Sequence, residues 1–454
     1  MGTTVQNNKI VNGVVWKQML LFFFPIFLGT LFQQLYSMID AVILGRFVGK
    51  EALAAVGGTD LEVINLLVNF FVGLSSGASV VISQHYGARH RMALRCAVCT
   101  AIVLAVVCGG LLTLVGVFGS PTILRWIKTP EDIFHYAEDY MRFYFLGMIP
   151  SMIYNMGSGI FRAVGDARRP LYFLAVCCVL NIVLDLLLVV VIPLGTAGAA
   201  IATSIAQVIC AVLVLVSLCR TKDIFRLHLK RIYFQPSLLS HMLRIGLPAG
   251  VQSSMYSISN VFIQAFINGL GADSIAAWAA FRKVDSVYWP ISSALGITVM
   301  TFVGQNFGAR RYDRLKSTIR TGFILQFSIT AAIVALMVLF RNPLIAIFNE
   351  DTAVREIGGE ILLAITPYYF LYICIEILSG AMRGVGESLK PALLTVGGIC
   401  ALRLVYLFLF VGDTPTNSGI AFSYPLTWGV TTVLFIIYYL RGRWLRHHIQ
   451  QQTA

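Results

Sequence analysis

Charged residues are scarce in this chain. Asp, Glu, Lys and Arg make up 12% of its 454 residues, about half their share in an ordinary soluble domain. A soluble, multidomain globular protein is therefore excluded. Catalytic signatures are missing too. There is no H-E-x-x-H, no G-x-S-x-G and no Gly-rich Walker loop, so neither metal-dependent hydrolysis nor ATP drive is signalled and no enzyme is expected. The nine cysteines are odd in number, and none of their spacings matches a zinc site or a secreted disulfide framework. Cys96 and Cys99 form an isolated CxxC at the head of an apolar run, and the cysteines read as small packing residues. A cleavable leader is not expected either. Residues 1–13 are polar, and the first apolar run continues to about Ile43, beyond the length of a signal core.

What remains is 57% hydrophobic, with a mean hydropathy of +0.79. A membrane span needs about 20 apolar residues, because lipid cannot satisfy backbone polar groups. Twelve such stretches occur, centred near Thr30, Asn69, Ala105, Met148, Leu180, Ala206, Ser259, Ile291, Thr330, Tyr369, Ala401 and Thr431. The net charge of +13 invites a nucleic-acid reading, but its distribution argues against one. Arg89, Arg91 and Arg95 follow span 2, Arg168 and Arg169 follow span 4, and Arg220, Lys222, Arg226, Lys230 and Arg231 follow span 6. Arg310, Arg311, Arg314, Lys316 and Arg320 follow span 8, and Arg441, Arg443 and Arg446 follow span 12. Positive residues on alternate loops place both termini in the cytoplasm of a multi-pass cell-membrane protein.

The chain repeats itself. SQHYGARHRMALR at 83–95 returns as GQNFGARRYDRLK at 304–316, and SGIFRAVGDARRP at 158–170 returns as SGAMRGVGESLKP at 379–391, both 221 positions later. VGKEALAA at 48–55 returns as LGADSIAA at 270–277, at an offset of 222. Each copy holds six spans, so both enter the bilayer in the same sense, related by an axis along the membrane normal. The expected organisation is a cytoplasmic N-terminus (1–13), an N-lobe of spans 1–6 (14–219), a cytoplasmic linker (220–236), a C-lobe of spans 7–12 (237–441) and a cytoplasmic tail (442–454). In the linker region, basic residues interleave with Ile224, Phe225, Leu227, Leu229 and Ile232, a pattern suited to a helix lying at the membrane surface.

Several polar residues sit where lipid should exclude them. A charge at mid-span costs about 2.5–3.5 kcal/mol on insertion scales. Span 1 carries Asp40, with Gln33 and Ser37 seven and three residues earlier on the same helical face. Span 5 carries Asn181 and Asp185, four apart, and span 6 carries Thr203. At a rise of about 1.5 Å per residue, Asp40 lies roughly 9 Å in from the outer end of span 1 and Thr203 roughly 10 Å in from that of span 6. Asp185 lies roughly 22 Å above the cytoplasmic end of span 5. The four side chains converge in depth. Two carboxylates at close range cannot both stay ionised cheaply in a dry site, so one holds a proton or a hard cation neutralises the pair. Polar residues that only join helices are the competing reading, which two aspartates in one lobe disfavour.

The chain resembles the multidrug and toxic compound extrusion (MATE) transporters over essentially its whole length. The resemblance rests on Pro25, Gln33-Gln34 and Asp40 in span 1, Gln84-x-x-Gly87-Ala88, Arg162-x-Val164-Gly165-Asp166, Asn181-x-x-x-Asp185, Gln305-x-x-Gly308-Ala309 and Arg383-Gly384-x-Gly386. It implies an all-α polytopic membrane protein, with twelve transmembrane helices as two pseudo-symmetric six-helix bundles around a central cavity. It also implies export of organic cations in exchange for H⁺ or Na⁺ by alternating access. In members that couple through the N-lobe, the coupling groups correspond to Asp40, Asn181, Asp185 and Thr203, which would also be the ligands of any Na⁺. Other members use acids of spans 7 and 10. Here span 7 has no acid, its polar face being Gln252, Tyr256, Asn260 and Gln264, and span 10 offers Glu376, one turn past Tyr372.

Tyr369, Tyr372 and Glu376 share one face of span 10, and an acid with aromatic neighbours suits a lipophilic cation. The alternative pairs Glu376 with Arg403 of span 11. The expected substrate surface is Gln33, Ser37, Tyr256, Asn260, Tyr369, Tyr372 and Glu376, with Met255, Tyr288 and Trp289 as possible extensions, and Pro25 is the expected hinge of span 1. His85 reads as turn chemistry, while Lys283 and Asp285 form either a mutual pair or part of the cavity. No cofactor beyond the coupling ion is expected, the partners are small organic cations and the bilayer, and the chain is expected to act as a monomer without nucleic acid. A flippase for lipid-linked or other amphiphilic solutes is the alternative function.

Overall fold

The computed structural model describes residues 8–450 except 50, 53–55, 57–58, 128, 229–232, 413–414, 443 and 446–447. Parts of the third repeat match and of the linker, including Leu229, Lys230, Arg231 and Ile232, and Arg443 and Arg446 of the tail, lie outside the described residues. The described residues form helices and turns and no strand. Spans 1, 2 and 3 are Val15–Phe47, Thr59–Gly87 and Arg91–Trp126. Span 4 is Glu131–Leu146 and Met148–Ala163, broken at Gly147. Span 5 is Arg168–Asp185 continued by a π-helical stretch, Leu186–Val191, and span 6 is Gly195–Arg220. Span 7 is Pro236–Asn268, and span 8 is Ala272–Asp285 and Tyr288–Gly308. Span 9 is Tyr312–Leu339, and span 10 is Thr352–Ile365 and Tyr369–Val385 around a 3₁₀ turn. Span 11 runs through Leu389–Thr395, Val396–Ala401, Leu402–Tyr406 and Leu407–Val411, and span 12 is Asn417–Leu440. Among the described residues ten of these are long and apolar enough to cross a bilayer by themselves. Spans 4 and 7 are the other two: five charged residues lie in Glu131–Leu146, and Gln and Ser dilute span 7.

The sequence repeat is also a backbone repeat. Arg89 and Arg310, 221 apart, are the two non-glycine residues with positive φ among those described, at 57° and 56°. Each closes a helix in the same way: Arg89 N–H donates to Tyr86 O and His90 N–H to His85 O, while Arg310 N–H donates to Phe307 O and Arg311 N–H to Asn306 O. This is a left-handed C-terminal cap, here kept at the cost of about 1 kcal/mol that a Cβ brings to that conformation. Gly165 and Gly386 (φ 92° and 103°) recur at the same spacing, as do the starts of the π-helical stretches at Leu186 and Leu407.

The chain divides into two compact units, Leu21–Gly250 and the residues up to Leu20 together with Val251 onward. The start of span 1 thus belongs with the C-terminal repeat, and the start of span 7 with the N-terminal one. Pro25 and Pro248 lie inside uninterrupted helices close to these changeovers.

In the N-terminal unit, spans 2 and 7 meet through Gly73, Gly77, Gly246 and Gly250. A Cβ on Gly73 would lie 2.6 Å from Gly250 Cα, and one on Gly250 would lie 2.6 Å from Phe70 O. Backbones this close tolerate no side chain. Cys177 and Cys210 join spans 5 and 6 as a disulfide, Cα to Cα 6.2 Å, a pairing that the reading of the cysteines as packing residues does not anticipate. The linker segment 221–228 is turn and extended chain rather than the expected surface helix. Its Phe225 and Leu227 are buried, and Phe225 sits edge-on to Phe161 and Tyr86. Those two side chains anchor the segment in the N-terminal unit, and this burial replaces a helix periodicity facing lipid.

In the C-terminal unit, residues 8–13 dock against the turn after span 8. Asn8 Nδ2 donates to Gln305 Oε1 at 3.0 Å, and Arg314 Nη2 donates to the carbonyl of Gly13 at 2.6 Å. Ile10 is buried beneath them.

Candidate functional site

Span 1 brings Asp40 to spans 5 and 6 of the same unit. Cys178 Sγ donates to Phe32 O at 3.2 Å, fastening span 5 to span 1. Asp185 is fully buried, Asn181 is 2% exposed and Thr203 is 7% exposed. Asn181 Nδ2 donates to Thr203 Oγ1 at 3.4 Å. The carboxyl groups of Asp40 and Asp185 are neighbours that act on each other electrostatically. Both are acceptors, so neither satisfies the other without a proton or a cation between them. Asp40 Oδ1, Asn181 Oδ1 and both oxygens of Asp185 are enclosed without a donor. A buried polar atom left in that state is costly.

These orphaned oxygens fit a proton or a hard, oxygen-seeking cation such as Na⁺. Among the described residues no three His, Cys, Asp or Glu side chains are grouped to hold a metal ion. The cluster has two carboxylates completed by an amide and a hydroxyl, an all-oxygen donor set that suits a hard cation rather than a thiophilic metal. Asp185 is the last α-helical residue before the π-helical stretch of span 5, and such widened turns free backbone geometry where a site needs it.

Three tyrosines complete the surroundings and escaped the sequence reading. Tyr36, Tyr140 and Tyr144 each interact electrostatically with Asp40, and Tyr140 also with Asp185. The rings of Tyr140 and Tyr144 stack at 5.8 Å. Tyr36 lies one helical turn before Asp40, a spacing that could have revealed it. Gln33 and Ser37 stay exposed, outside the enclosed group, and the Ser37 hydroxyl donates to Gln33 O.

The second group of predicted residues lies in the C-terminal unit. Tyr256 OH and Tyr372 OH are 3.5 Å apart, and Glu376 is in contact with Tyr372. The Glu376 carboxyl rests on Gly296 of span 8, where a Cβ would collide with it. Asn260 is exposed. Tyr369, expected on the cavity surface, is instead fully buried. Its hydroxyl donates to Asp285, and its ring stacks on Tyr288 at 4.2 Å. Asp285 also accepts from Trp289 Nε1 at 2.7 Å, which resolves its pairing: span 10 and Trp289 hold it, and Lys283 does not. Glu376 and Arg403 form no ion pair among the described residues.

The comparisons with known proteins agree with this architecture. The MatE family model matches residues 25–187 and 248–409. "Probable multidrug resistance protein YoeA" of Bacillus subtilis is 29% identical, over 94% of this chain and 93% of its own. "Probable multidrug resistance protein NorM" of Thermotoga maritima is 25% identical, over 84% and 82%. Among solved structures, an outward-facing multidrug resistance MATE family transporter of the MOP superfamily superposes with a TM-score of 0.90 at 22% identity, covering 97% of this chain and 98% of that one. A MATE protein in a bent conformation superposes with a TM-score of 0.91 at 21% identity, over the whole of both chains. With both halves matched in register with the internal repeat, this chain belongs to the MatE family of membrane transporters.

Proposed function

We propose that the chain is a secondary active antiporter that exports organic cations from the cytoplasm in exchange for H⁺ or Na⁺ across the cell membrane. The observation that carries this reading is the enclosed cluster of Asp40, Asn181, Asp185 and Thr203, with four oxygens lacking donors. In the proposed cycle a proton or Na⁺ entering from outside neutralises the Asp40–Asp185 pair. With the pair neutral, span 1 packs differently against spans 5 and 6, and the drug leaves outward. A cytoplasmic drug favours the ion-free form, as reciprocity of the two binding equilibria requires. Pro25 leaves the carbonyl one turn before it without its helical partner, so span 1 has a compliant point on the cytoplasmic side of Asp40. In the C-terminal unit Tyr256, Tyr372 and Glu376, with Asn260 exposed on span 7, supply aromatic and polar contacts for the drug. The Lys and Arg distribution supports cytoplasmic termini. A membrane potential supplies roughly 2.3 kcal/mol per charge for each 100 mV.

The test is uptake of a fluorescent organic cation into inside-out vesicles, with a pH gradient or a sodium gradient imposed one at a time. One gradient should drive uptake in the wild type and neither should in Asp40→Asn. Equal gradient-driven uptake by the two proteins would overturn the assignment of the coupling site.

A further inference from the structure

The disulfide between spans 5 and 6 lies beside the coupling cluster and has no task in the proposed cycle. Cys177 comes four residues before Asn181 on span 5, and Cys210 seven residues after Thr203 on span 6. Both spacings return to the same helical face. The covalent bond and the Asn181–Thr203 hydrogen bond therefore join the same two faces, one turn apart on span 5 and two on span 6. Cys177 and Cys210 are buried with Ala206, and Tyr154 packs against them. The next residue, Cys178, fastens span 1 through the carbonyl of Phe32. The disulfide thus sits where the three spans that carry the cluster are tied together.

The hydrogen bond it neighbours is a long one. At 3.4 Å, Asn181 Nδ2 and Thr203 Oγ1 are close to the limit at which such groups still bond. A small increase in the separation of spans 5 and 6 breaks it. The Asn181 amide is then free to turn, taking with it the Oδ1 that has no donor. The internal repeat shows how the same two faces meet where no site depends on them. An offset of 221 carries Cys177 to Gly398 and Cys210 to Thr431. A Cβ on Gly398 would collide with Thr431 Oγ1, so spans 11 and 12 also touch here, by the packing of small residues and without a covalent bond. The same offset carries Asn181 to Leu402 and Thr203 to Tyr424, and a leucine side chain has no hydrogen bond to keep in register. The unit that has a polar pair to hold is the one that has the covalent tie.

We propose that the Cys177–Cys210 disulfide is a positioning element of the coupling site: it holds Asn181 and Thr203 in register, and the disulfide form binds the coupling ion more tightly than the dithiol form. This inference rests on the coupling site proposed above and adds a dependence on thiol chemistry to it. Restraining a site in its bound geometry raises affinity by removing the cost of ordering it. Dithiothreitol converts one form to the other. The S–S bond breaks and each cysteine sulfur gains a proton and an electron, while the reagent gives up two protons and two electrons and closes into its own cyclic disulfide. The Cys210 thiol then has the carbonyl of Phe173 as an acceptor at 3.7 Å, a partner one turn away from Cys177, so the dithiol form no longer requires the spacing that the disulfide imposes.

The test measures transport of ethidium in proteoliposomes, with the Na⁺ or H⁺ concentration varied on the side from which the ion enters. Dithiothreitol should raise the half-saturating concentration of the driving ion about tenfold, the equivalent of one hydrogen bond at a charged site, and leave the KM for ethidium unchanged. Reoxidation with diamide should restore the starting value. Cys177→Ser and Cys210→Ser should show the raised value without any reagent. The double variant Cys177→Gly, Cys210→Thr copies the contact of the C-terminal unit, which keeps its fold credible, and it should show the raised value and ignore both reagents. A response that persists in this variant would assign the effect to the seven other cysteines and overturn the proposal. So would equal shifts in the ion and ethidium constants, the mark of a disulfide that only stabilises the fold, or no shift at all. A wild type that moves ethidium under neither gradient would count against the export reading instead. Melting in detergent then carries the test: Na⁺ or acid should stabilise the disulfide form at about one tenth of the concentration that the dithiol form needs. Equal concentrations, or a disulfide form that neither ion stabilises, would overturn the proposal.

Discussion

Replacing Asp40 by Asn should make the protein inactive and more stable at once. Asp185 is fully buried and faces the Asp40 carboxyl. Two like charges about 4 Å apart repel by about 4 kcal/mol at an effective dielectric of about 20. Asp40 is partly exposed, and solvent screening lowers this to about 2 kcal/mol. Asn keeps the shape, removes one charge and offers an N–H₂ donor to the unpaired oxygens of Asp185. In sodium-free buffer at alkaline pH, where nothing neutralises the wild-type pair, the variant should gain about 2 kcal/mol, a factor of roughly 30 in the folded-to-unfolded ratio. Melting followed by tryptophan emission in detergent measures this. Adding Na⁺ or acid should stabilise the wild type and close the gap, because a ligand that binds only the folded state adds stability by mass action. A variant that melts no higher than the wild type in sodium-free buffer would refute the reasoning. So would a variant that responds to Na⁺ and acid as the wild type does.

Asp185→Asn should add little to the export defect of Asp40→Asn, since residues sharing one site are not additive; multiplied defects, measured with singles that retain activity, would mean separate sites. Glu376→Gln should weaken export of permanently cationic substrates by about 1–3 kcal/mol relative to neutral ones, and equal losses in a transport assay would leave Glu376 a structural partner resting on Gly296. Gly250→Ala places a Cβ 2.6 Å from the Phe70 carbonyl, so it should destabilise the protein by about 1–3 kcal/mol through overpacking, and an unchanged melting curve would show that spans 2 and 7 yield at no cost.

Much of the fold was legible because duplication writes itself twice. The 221-residue offset in sequence reappears as paired left-handed caps at Arg89 and Arg310 and as paired π-helical starts at Leu186 and Leu407. Asp40, Asn181, Asp185 and Thr203 were legible because lipid makes each polar side chain conspicuous. Tyr36, Tyr140 and Tyr144 were not, since a tyrosine has an apolar body and sits in a span unremarked. The sharing of spans 1 and 7 between units was hidden for another reason. A repeat says which residues are equivalent and nothing about which ones touch. The linker misled because its interleaved pattern records two anchors, Phe225 and Leu227, rather than a lipid-facing stripe. Tyr369 misled because helical spacing puts it on the face of Tyr372 and Glu376, while its hydroxyl is taken by Asp285 across the bundle.

The docking of residues 8–13 against the turn after span 8 also sets a clock on biosynthesis. Asn8 and Gln305 are 297 positions apart. At about 5–20 residues per second, the ribosome takes roughly 15–60 s to deliver the partner. The N-terminal unit has all its residues once Gly250 has emerged, but the first segment made is among the last to find its place. Through that interval Asn8 and Ile10 wait without their partners, at the head of span 1. A nascent chain stalled between Gly250 and Gln305 would present this untethered end to chaperones and proteases, and a finished one would not.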